Sequence, residues 1–361
     1  SPSRWAVCGW PMICCLSTSS ASRMSSQVPG DAGLPEDSPL AAVTRGPLVE
    51  SVHRGRLAIC DPDGKVLQAV GDPEASIYAR SSAKPFQALP LVLSGAADAF
   101  GLTDRELAVV CASHNAEEPH IAAVKSILEK AGLTEDDLQS GAHLPLHEPE
   151  AERLIRRGEE PRPIHGNCSG KHAGMLAVCV YEGYETATYR DPAHPLQRRI
   201  LGLIAEVCGL REDEVLVAGD NCGVPAFALP LRSFATGLAR VATGNGLPDE
   251  LALAALRIGG AMRAHPFMVA GTGRFDTDLM VSTDLLVKGG AEAVLAAGSQ
   301  DGWGMALKIS DGSVRAVRPA ALASLGGMGV EVPEALSDVR GLHDEKVGEI
   351  RPLTDAHTDS A

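Results

Sequence analysis

Two stretches with β-hairpin patterns lie at opposite ends of the chain, and they constrain the fold more than any other feature. In GRLAICDPDGKVLQAVG (55–71), two strand-like segments flank Asp63-Gly64, a typical hairpin turn. Residues 284–317 are again strand-like, and Asp311-Gly312 predicts a second hairpin turn there. The middle of the chain has helix patterns instead. We therefore expect an α+β (mixed α/β) fold, in which one antiparallel sheet is built from distant segments and covered by helices, with a helical subdomain.

The helix patterns of the middle differ in character. Residues 83–101 are apolar and predict a deeply buried helix, whereas residues 118–131 have the spacing of an amphipathic helix. Thr103 and Glu106 have the spacing of a capping box, which predicts a short helix before the strand-like AVVCAS (108–113). Three further helices are predicted over 194–209, 226–242 and 247–265.

Composition excludes several classes of protein. A chain of 361 residues can form one large domain or two moderate ones. The formal net charge of −14 argues against nucleic acid or an anionic membrane surface as the main partner. In addition, no stretch approaches the ~18 uninterrupted apolar residues that indicate a membrane-spanning helix. We therefore expect neither nucleic acid nor a membrane among the partners.

The nine cysteines show no disulfide pattern, which is typical of a protein from the reducing cytoplasm. Cytoplasmic localisation is therefore expected. Four cysteines lie within apolar runs and are predicted to be core residues: Cys60, Cys111, Cys179 and Cys208. Cys168 and Cys222 differ, because each lies in a Gly/Asn-rich loop sequence.

Three segments are predicted along the chain. Residues 1–41 contain a short apolar stretch that weakly resembles a secretory signal, but we interpret them as a disordered or non-native head. Met24 could be the true start of the protein. Residues 42–350 form a single catalytic domain, and residues 351–361 a polar, frayed tail.

Three short motifs occur in the order Ser81-x-x-Lys84, Ser113-His114-Asn115 and Lys288-Gly-Gly. This order is close to the S-x-x-K, S-x-N and K-T-G motifs of penicillin-recognising serine enzymes. Each motif alone is weak. In particular, an isolated Ser-x-x-Lys is more often an N-cap serine followed by a solvated lysine. With Pro85 in the first turn of a helix, Ser81 would lie near its start and Lys84 about one turn later.

The chemistry of a serine nucleophile requires these residue types. A serine hydroxyl attacks a carbonyl only when a base takes its proton, and a lysine is such a base only when it is neutral. Burial or a neighbouring cation lowers a lysine pKa from its reference of about 10.4. The motifs supply two Ser–Lys pairs, Ser81 with Lys84 and Ser113 with Lys288. One pair could attack the carbonyl while the other protonates the leaving group, and the sequence leaves open which serine is acylated.

A second cluster of reactive residues lies in HGNCSGKHAG (165–174) and AGDNCGVP (218–225). Cys168, Lys171 and Cys222 could bind zinc at three corners of a tetrahedron, with water or Asp220 at the fourth. The expected zinc would modulate substrate binding rather than supply the nucleophile. The alternative is that both loops are structural turns around buried cysteines.

Five segments of the sequence closely resemble a known family. RSSAKP, CASHN, HGNCSGKHAGML, GDNCGVPAFALPL and VKGGAEA resemble the asparaginase II family, the thermolabile or rhizobial-type L-asparaginases, over roughly residues 43–350. The family usually has glycine after SHN, where this chain has Ala116. The resemblance implies a serine β-lactamase/glutaminase-like fold, a homodimer, hydrolysis of L-asparagine to L-aspartate and ammonia, and a zinc site near the substrate. It also implies two Ser–Lys pairs, matching Ser81/Lys84 and Ser113/Lys288.

L-Asparagine carries an α-carboxylate and an α-ammonium group that a pocket must also bind. Arg80 is the candidate for the carboxylate, since a guanidinium binds it bidentately, although a surface ion pair is an equal alternative. His114 and Asn115 are candidate substrate binders. His172 could contact substrate or metal, or be structural. Two other functions stay open: a β-lactamase or D,D-peptidase, and a non-catalytic zinc- or ligand-binding relative.

Overall fold

The computed structural model describes residues 37–353, which form a mixed α+β fold. Eleven strands are found within this range. They are β1 (Ser38–Arg45), β2 (Leu48–Cys60), β3 (Val66–Val70), β4 (Ser76–Tyr78), β5 (Leu216–Gly219), β6 (Pro225–Pro230), β7 (Leu286–Gly290), β8 (Val294–Ser299), β9 (Trp303–Ile309), β10 (Ser337–Arg340) and β11 (Lys346–Pro352).

The described residues also form thirteen α-helices. They are α1 (Lys84–Gln87), α2 (Leu89–Leu93), α3 (Ala96–Ala99), α4 (Asp104–Val110), α5 (Glu118–Lys130), α6 (Glu148–Arg157), α7 (Ser169–Glu182), α8 (Pro195–Cys208), α9 (Leu231–Thr243), α10 (Asp249–Ala264), α11 (Pro266–Val269), α12 (Phe275–Ser282) and α13 (Val317–Gly327). Short 3-10 helices cover Arg80–Ala83, Glu135–Asp137, Pro163–His165, Glu212–Glu214 and Val314–Ala316.

The larger sheet joins the two ends of the described chain. Its strand order is β10-β11-β1-β2-β9-β8-β7, with β3 paired to β2, and a smaller sheet has the order β4-β6-β5. All of these pairings are antiparallel; Val43 of β1, for example, faces Ile350 of β11. The prediction of an antiparallel sheet from distant segments, covered by helices, is therefore confirmed.

Helices cover both faces of the larger sheet. Helix α9 packs across β2, β8 and β9, while α13 packs on β1, β8, β9 and β11. The approach of α9 is close because Gly304 of β9 has no side chain, and a Cβ atom there would lie 2.1 Å from the Ala235 carbonyl oxygen. Helix α10 packs behind α9 and also contacts α4, so the helical subdomain continues from the covered sheet.

The first predicted hairpin is confirmed and the second is wrong. Strands β2 and β3 pair as expected, and Gly64 closes their turn with φ of 87°, which favours glycine. Asp311-Gly312 does not return the chain to the sheet. Instead, the Ser313 N–H donates to the Asp311 carboxylate at 2.9 Å, and the chain enters a 3-10 helix and α13. The hairpin partners of β8 are β7 and β9, joined by short turns.

Several helix predictions hold, whereas two helix predictions and one strand prediction need correction. The helices at 118–131, 194–209 and 247–265 are confirmed, as is the capping box of Thr103 and Glu106. The expected helix at 83–101 is three short helices, because Pro90 cannot continue α1 and Gly95 is left-handed with φ of 86°. AVVC lies mostly in α4 rather than in a strand, and residues 225–230 form a strand before α9.

The predicted segment boundaries fall close to two paired strands. Strand β1 begins at Ser38 and β11 ends at Pro352, so both extend slightly beyond the predicted 42–350. Most of the predicted head and tail, residues 1–36 and 354–361, lies outside the described residues. Between residues 37 and 353, no helix has the length and apolar character needed to cross a membrane.

Candidate active site

The segment of Ser81 lies against the edge strand of the larger sheet. The 3-10 helix Arg80–Ala83 contacts β7, and Gly290 of β7 permits this approach, since a Cβ atom there would lie 2.9 Å from Ser82 Oγ. Arg80 has φ of 49°, a left-handed conformation that costs a non-glycine residue about 1–3 kcal/mol and is concentrated at functional sites. Ser81 itself is half-buried, and Pro85 occupies the first turn of α1 as predicted.

Lys84 is a buried amine with a serine hydroxyl as its side-chain partner. Its side chain is 1% exposed, and Nζ donates to Ser113 Oγ at 3.1 Å and to the Ala112 carbonyl oxygen. Burial above all, assisted by the charge of Lys288, lowers the pKa of Lys84 to about 7. An amine with this pKa is substantially neutral near pH 7 and can act as a base.

The segment of Ser113 has no regular secondary structure, yet its backbone is fixed by other parts of the chain. The N–H groups of Ser113 and Asn115 donate to the carbonyl oxygens of Val269 and Ala270, both at 2.9 Å, and His114 N–H donates to Asn167 O at 3.0 Å. Ala116, which follows, is buried with φ of 59°. This left-handed conformation is a physical reason for glycine to be usual at the position.

Lys288 lies on β7 and is fully buried beside an acid. Its Nζ lies 3.5 Å from Asp276 Oδ2 and donates to the Gly289 carbonyl oxygen at 2.6 Å. The same Asp276 oxygen accepts the Gly289 N–H at 2.8 Å. Burial lowers the pKa of Lys288, whereas the Asp276 charge acts in the opposite direction. Asp276 therefore fixes the position of this lysine.

The structure pairs the four predicted catalytic residues differently from the sequence. Lys84 contacts Ser113 rather than Ser81, and Lys288 contacts Asp276 rather than Ser113. The three motifs nevertheless converge, because β7, the Ser81 segment and the Ser113 segment meet at one cleft.

The cleft consists of two adjoining cavities. The first, of about 450 Å³, is lined by Arg80 and by the predicted metal ligands Cys168, Lys171 and Cys222. The second, of about 510 Å³, is lined by Ser113 and Arg274, with an apolar wall. Four residues line both cavities: Ser81, Leu146, Asn167 and Ala291. Ser81 is thus accessible from either side, as a nucleophile must be.

Arg80 is engaged in a partly buried ion pair. Nε and Nη2 donate to Asp220 Oδ1 at 3.1 and 2.9 Å, and Nη2 also donates to Asn221 Oδ1 at 3.1 Å. The alternative of an ion pair therefore describes Arg80, although the pair lies at the cavity wall rather than on the open surface. Asp220, which was predicted as an alternative to water for the fourth zinc ligand, accepts hydrogen bonds from this arginine.

His114 and Asn115 have internal partners and line neither cavity. His114 Nδ1 accepts the Ala116 N–H at 3.1 Å, so Nε2 carries the proton and donates to Ser169 Oγ at 2.9 Å. Burial lowers the pKa of His114 well below its ordinary value. Asn115 Oδ1 accepts from Arg274, while its Nδ2 donates to Glu117 and to the Thr272 carbonyl oxygen. Both residues position the Ser113 segment.

Four side chains with metal-binding chemistry converge beside the first cavity. The ligand atoms of Cys168, His172 and Cys222 lie within 4.8 Å of one another, and Lys171 Nζ lies 3.1 Å from Cys222 Sγ. A hydrogen bond from Cys168 and the charge of Lys171 lower the pKa of the Cys222 thiol. His172 Nδ1 is 2.6 Å from Tyr189 Oη, while its buried Nε2 has no partner within residues 37–353. The structure therefore groups His172 with the predicted metal ligands.

Polar residues of the cleft that the sequence did not reveal include Asn167, Arg274 and Asp276. Asn167 lies within HGNCSGKH, in which the predicted functional residues were Cys168, Lys171 and His172. Arg274 and Asp276 occur in GTGRFDTD (271–278), which carries no pattern beyond its glycines. Their partners lie on β7 and in the Ser113 segment, so no local sequence signal reveals them.

The family model described as L-asparaginase II matches residues 41–353, most of the chain. The chain therefore belongs to the L-asparaginase II family. No curated protein matches the sequence.

Solved structures with some similarity to this chain include Mglu and a Bacillus subtilis glutaminase. Mglu matches at 12% identity with a TM-score of 0.35, over 75% of this chain and 66% of its own, so this chain spans slightly under two thirds of Mglu. A Bacillus subtilis glutaminase, YbgJ, in covalent complex with 5-oxo-L-norleucine, matches at 13% identity with a TM-score of 0.33. That match covers 74% of this chain and 87% of the glutaminase chain. The α+β architecture of this chain is assigned from its own sheets and helices.

Proposed function

We propose that the protein hydrolyses the side-chain amide of L-asparagine to L-aspartate and ammonia through a serine-bound acyl intermediate. The observation that carries this proposal is the 3.1 Å contact between the buried amine of Lys84 and Ser113 Oγ, at a cleft that Ser81 also lines. A lysine that is neutral near pH 7 and touches a serine hydroxyl has the chemistry of a general base. Family membership supports asparagine as the substrate.

The first half of the reaction forms the acyl-enzyme. Ser81 Oγ attacks the carboxamide carbon, and its proton passes to neutral Lys84 through the hydroxyl of Ser113. The C–N bond then breaks, and Lys84 returns this proton through Ser113 to the departing nitrogen, which leaves as ammonia. In the second half, water attacks the ester and the same groups transfer its proton to Ser81 Oγ, releasing L-aspartate. Ser113 thus links the base to both reacting atoms.

Lys288 supports this base from its fixed position on β7. Its charge is one of the causes that lower the pKa of Lys84, and Asp276 keeps it in place. We therefore assign to Lys288 an electrostatic role: it favours neutral Lys84, and it provides positive potential near the oxygen that becomes negative during attack. This assignment replaces the predicted proton transfer between Lys288 and Ser113.

The function is tested by ammonia release from L-asparagine by the purified enzyme, with L-glutamine and nitrocefin as parallel substrates. We expect turnover of asparagine and none of nitrocefin. Activity on glutamine is expected to be lower, but only by a modest factor, because one methylene in a pocket changes the transition-state free energy by about 1–3 kcal/mol. Preferred hydrolysis of glutamine would correct the substrate. Hydrolysis of nitrocefin alone would overturn the proposal.

We also propose that Cys168, Lys171, His172 and Cys222 bind zinc. The donor set fits, since thiolate, imidazole and neutral amine are ligands that zinc accepts, and the buried His172 Nε2 has no hydrogen-bond partner among residues 37–353. With Nε2 bound to a metal, Nδ1–H could donate to Tyr189 Oη, the kind of contact that orients a ligand histidine. Bound zinc would supply positive charge at the wall of the first cavity and hold its loops together. The serines and lysines perform the acyl transfer.

Replacement of Cys168 by serine is expected to remove bound zinc and raise the KM for asparagine, with turnover still measurable. The reason is that the cluster borders the cavity, whereas the hydrogen bonds of Lys84 in the described chain go to Ser113 and to the Ala112 carbonyl oxygen. Metal analysis and steady-state kinetics measure both effects. Cys179→Ala is the matched control, because Cys179 lies on the same helix α7 outside the cluster. Purified wild-type enzyme without zinc and indifferent to added zinc would contradict the metal proposal.

A further inference from the structure

The second cavity has a cationic end that the proposed reaction does not use. Arg274 and Arg318 both line it, and neither forms an ion pair within residues 37–353. Asp276 is the single acid among its described lining residues, and this carboxylate is bound by Lys288 and the Gly289 N–H. The cavity is therefore locally positive in a chain with a net charge of −14. A local field of this sign favours an anionic ligand group.

Arg274 is held in place by one nitrogen and has the others available. Its Nη1 donates to the Ser113 carbonyl oxygen at 3.3 Å and to Asn115 Oδ1 at 3.0 Å. In the described part of the chain, Nε and Nη2 have no hydrogen-bond partner, and the side chain is half-buried at the cavity wall. The guanidinium edge that binds a carboxylate bidentately is thus oriented by protein contacts and unused.

Arg80 differs from Arg274 because its hydrogen-bond donors already have partners. Its Nε and Nη2 already bind Asp220 and Asn221, so the corresponding edge of this guanidinium is occupied. A substrate carboxylate at Arg80 would have to compete with the Asp220 carboxylate for these donors. At Arg274 no acid within residues 37–353 has to be displaced. The carboxylate site predicted at Arg80 therefore fits Arg274 better.

We propose that Arg274 binds the α-carboxylate of the amino-acid substrate, which rests on the proposed function. The guanidinium contacts the carbonyl oxygen of Ser113, the same residue whose hydroxyl Lys84 contacts. A carboxylate bound there leaves the side-chain amide of a short amino acid facing Ser81 and Ser113. Asn115 is the positioning residue of Arg274, which gives the SHN segment a physical role. Arg318 lies over the Phe275 ring, 5.3 Å from its centroid, and adds positive charge to the same cavity.

The test compares L-asparagine with its α-methyl ester, because ammonia release from either reports cleavage of the side-chain amide only. Wild-type enzyme is expected to prefer asparagine. In Arg274→Gln, kcat/KM for asparagine is expected to fall about 10- to 100-fold, the usual effect of losing hydrogen bonds to a charged group. Ammonia release from the methyl ester should change by less than about threefold in Arg274→Gln. Arg274→Lys retains the positive charge and should therefore recover part of the kcat/KM lost for asparagine. Arg80→Gln, the comparison variant, should affect both substrates alike.

The outcomes separate this inference from the proposed function. If Arg274→Gln lowers kcat/KM equally for asparagine and the ester, Arg274 is structural and the inference is overturned. If Arg80→Gln alone removes the preference for asparagine, the carboxylate binds at Arg80. Wild-type enzyme without activity on asparagine or glutamine would instead refute the proposed function. Thermal unfolding shows whether the Arg274→Gln protein is folded. Ammonia release from the methyl ester shows whether its serine and lysine groups still react.

Discussion

Asparagine hydrolysis is expected to fall by at least about 10⁴-fold when Ser81 is replaced by alanine, because no covalent intermediate can then form. Ser113→Ala is expected to cause a loss of about 10²- to 10⁴-fold, since it removes the hydroxyl through which Lys84 exchanges protons. The double variant Ser81→Ala/Lys84→Met should be no worse than Ser81→Ala alone, because residues that act as one unit are not additive. Steady-state ammonia release measures all three.

Ser82 provides the matched control for this experiment. It is the neighbour of Ser81 and fully buried, and its Oγ has no hydrogen-bond partner within the described residues. Ser82→Ala removes an unsatisfied hydroxyl and should leave activity within about threefold of wild type. A diazoketone analogue of asparagine then identifies the nucleophile by peptide mapping. An adduct on Ser113, with Ser81→Ala retaining activity, would exchange the roles of the two serines.

The sequence predicted the chemical groups of the cleft more successfully than their pairing. Ser81 and Lys84 are three positions apart, and this spacing led to the prediction that they form a pair. In the structure Lys84 reaches Ser113, 29 positions away, because the Ser113 segment is held by Val269 and Ala270 from a third part of the chain. Such backbone contacts between irregular segments have no periodicity or composition that a sequence shows.

The second predicted hairpin shows the same limit of sequence-based prediction for the fold. Asp63-Gly64 and Asp311-Gly312 have the same turn chemistry, yet only the first joins two paired strands. After Asp311 the bond to Ser313 N–H starts a helix, and α13 then covers the sheet. An Asp-Gly dipeptide determines only the local change of chain direction. Whether a strand or a helix follows depends on which face of the sheet is not yet covered by other elements.

A permanently cationic side chain in place of Lys84 is expected to remove the base at every pH. In Lys84→Arg the new guanidinium could donate to Ser113, but it is always protonated and cannot accept the serine proton. We therefore expect this substitution to lower kcat/KM by about 10²- to 10⁴-fold, without recovery at alkaline pH. In wild-type enzyme the neutral fraction of Lys84 increases as pH rises through its pKa of about 7. The value of kcat/KM should accordingly increase about tenfold per unit below pH 7 and level off above it.

A change at Lys288 also tests whether Lys84 is the base, because Lys288 takes no part in the proposed proton transfer. Because its charge helps to lower the pKa of Lys84, its removal should move the rising limb of the pH profile to higher pH. Lys288→Met alone would leave Asp276 buried and unpaired, so the informative variant is Lys288→Met/Asp276→Asn, which removes both members of the pair. If the wild-type profile were flat between about pH 6 and 9, Lys84 would not be the titrating base. If the double variant left the limb in place, Lys288 would not have the electrostatic role assigned to it.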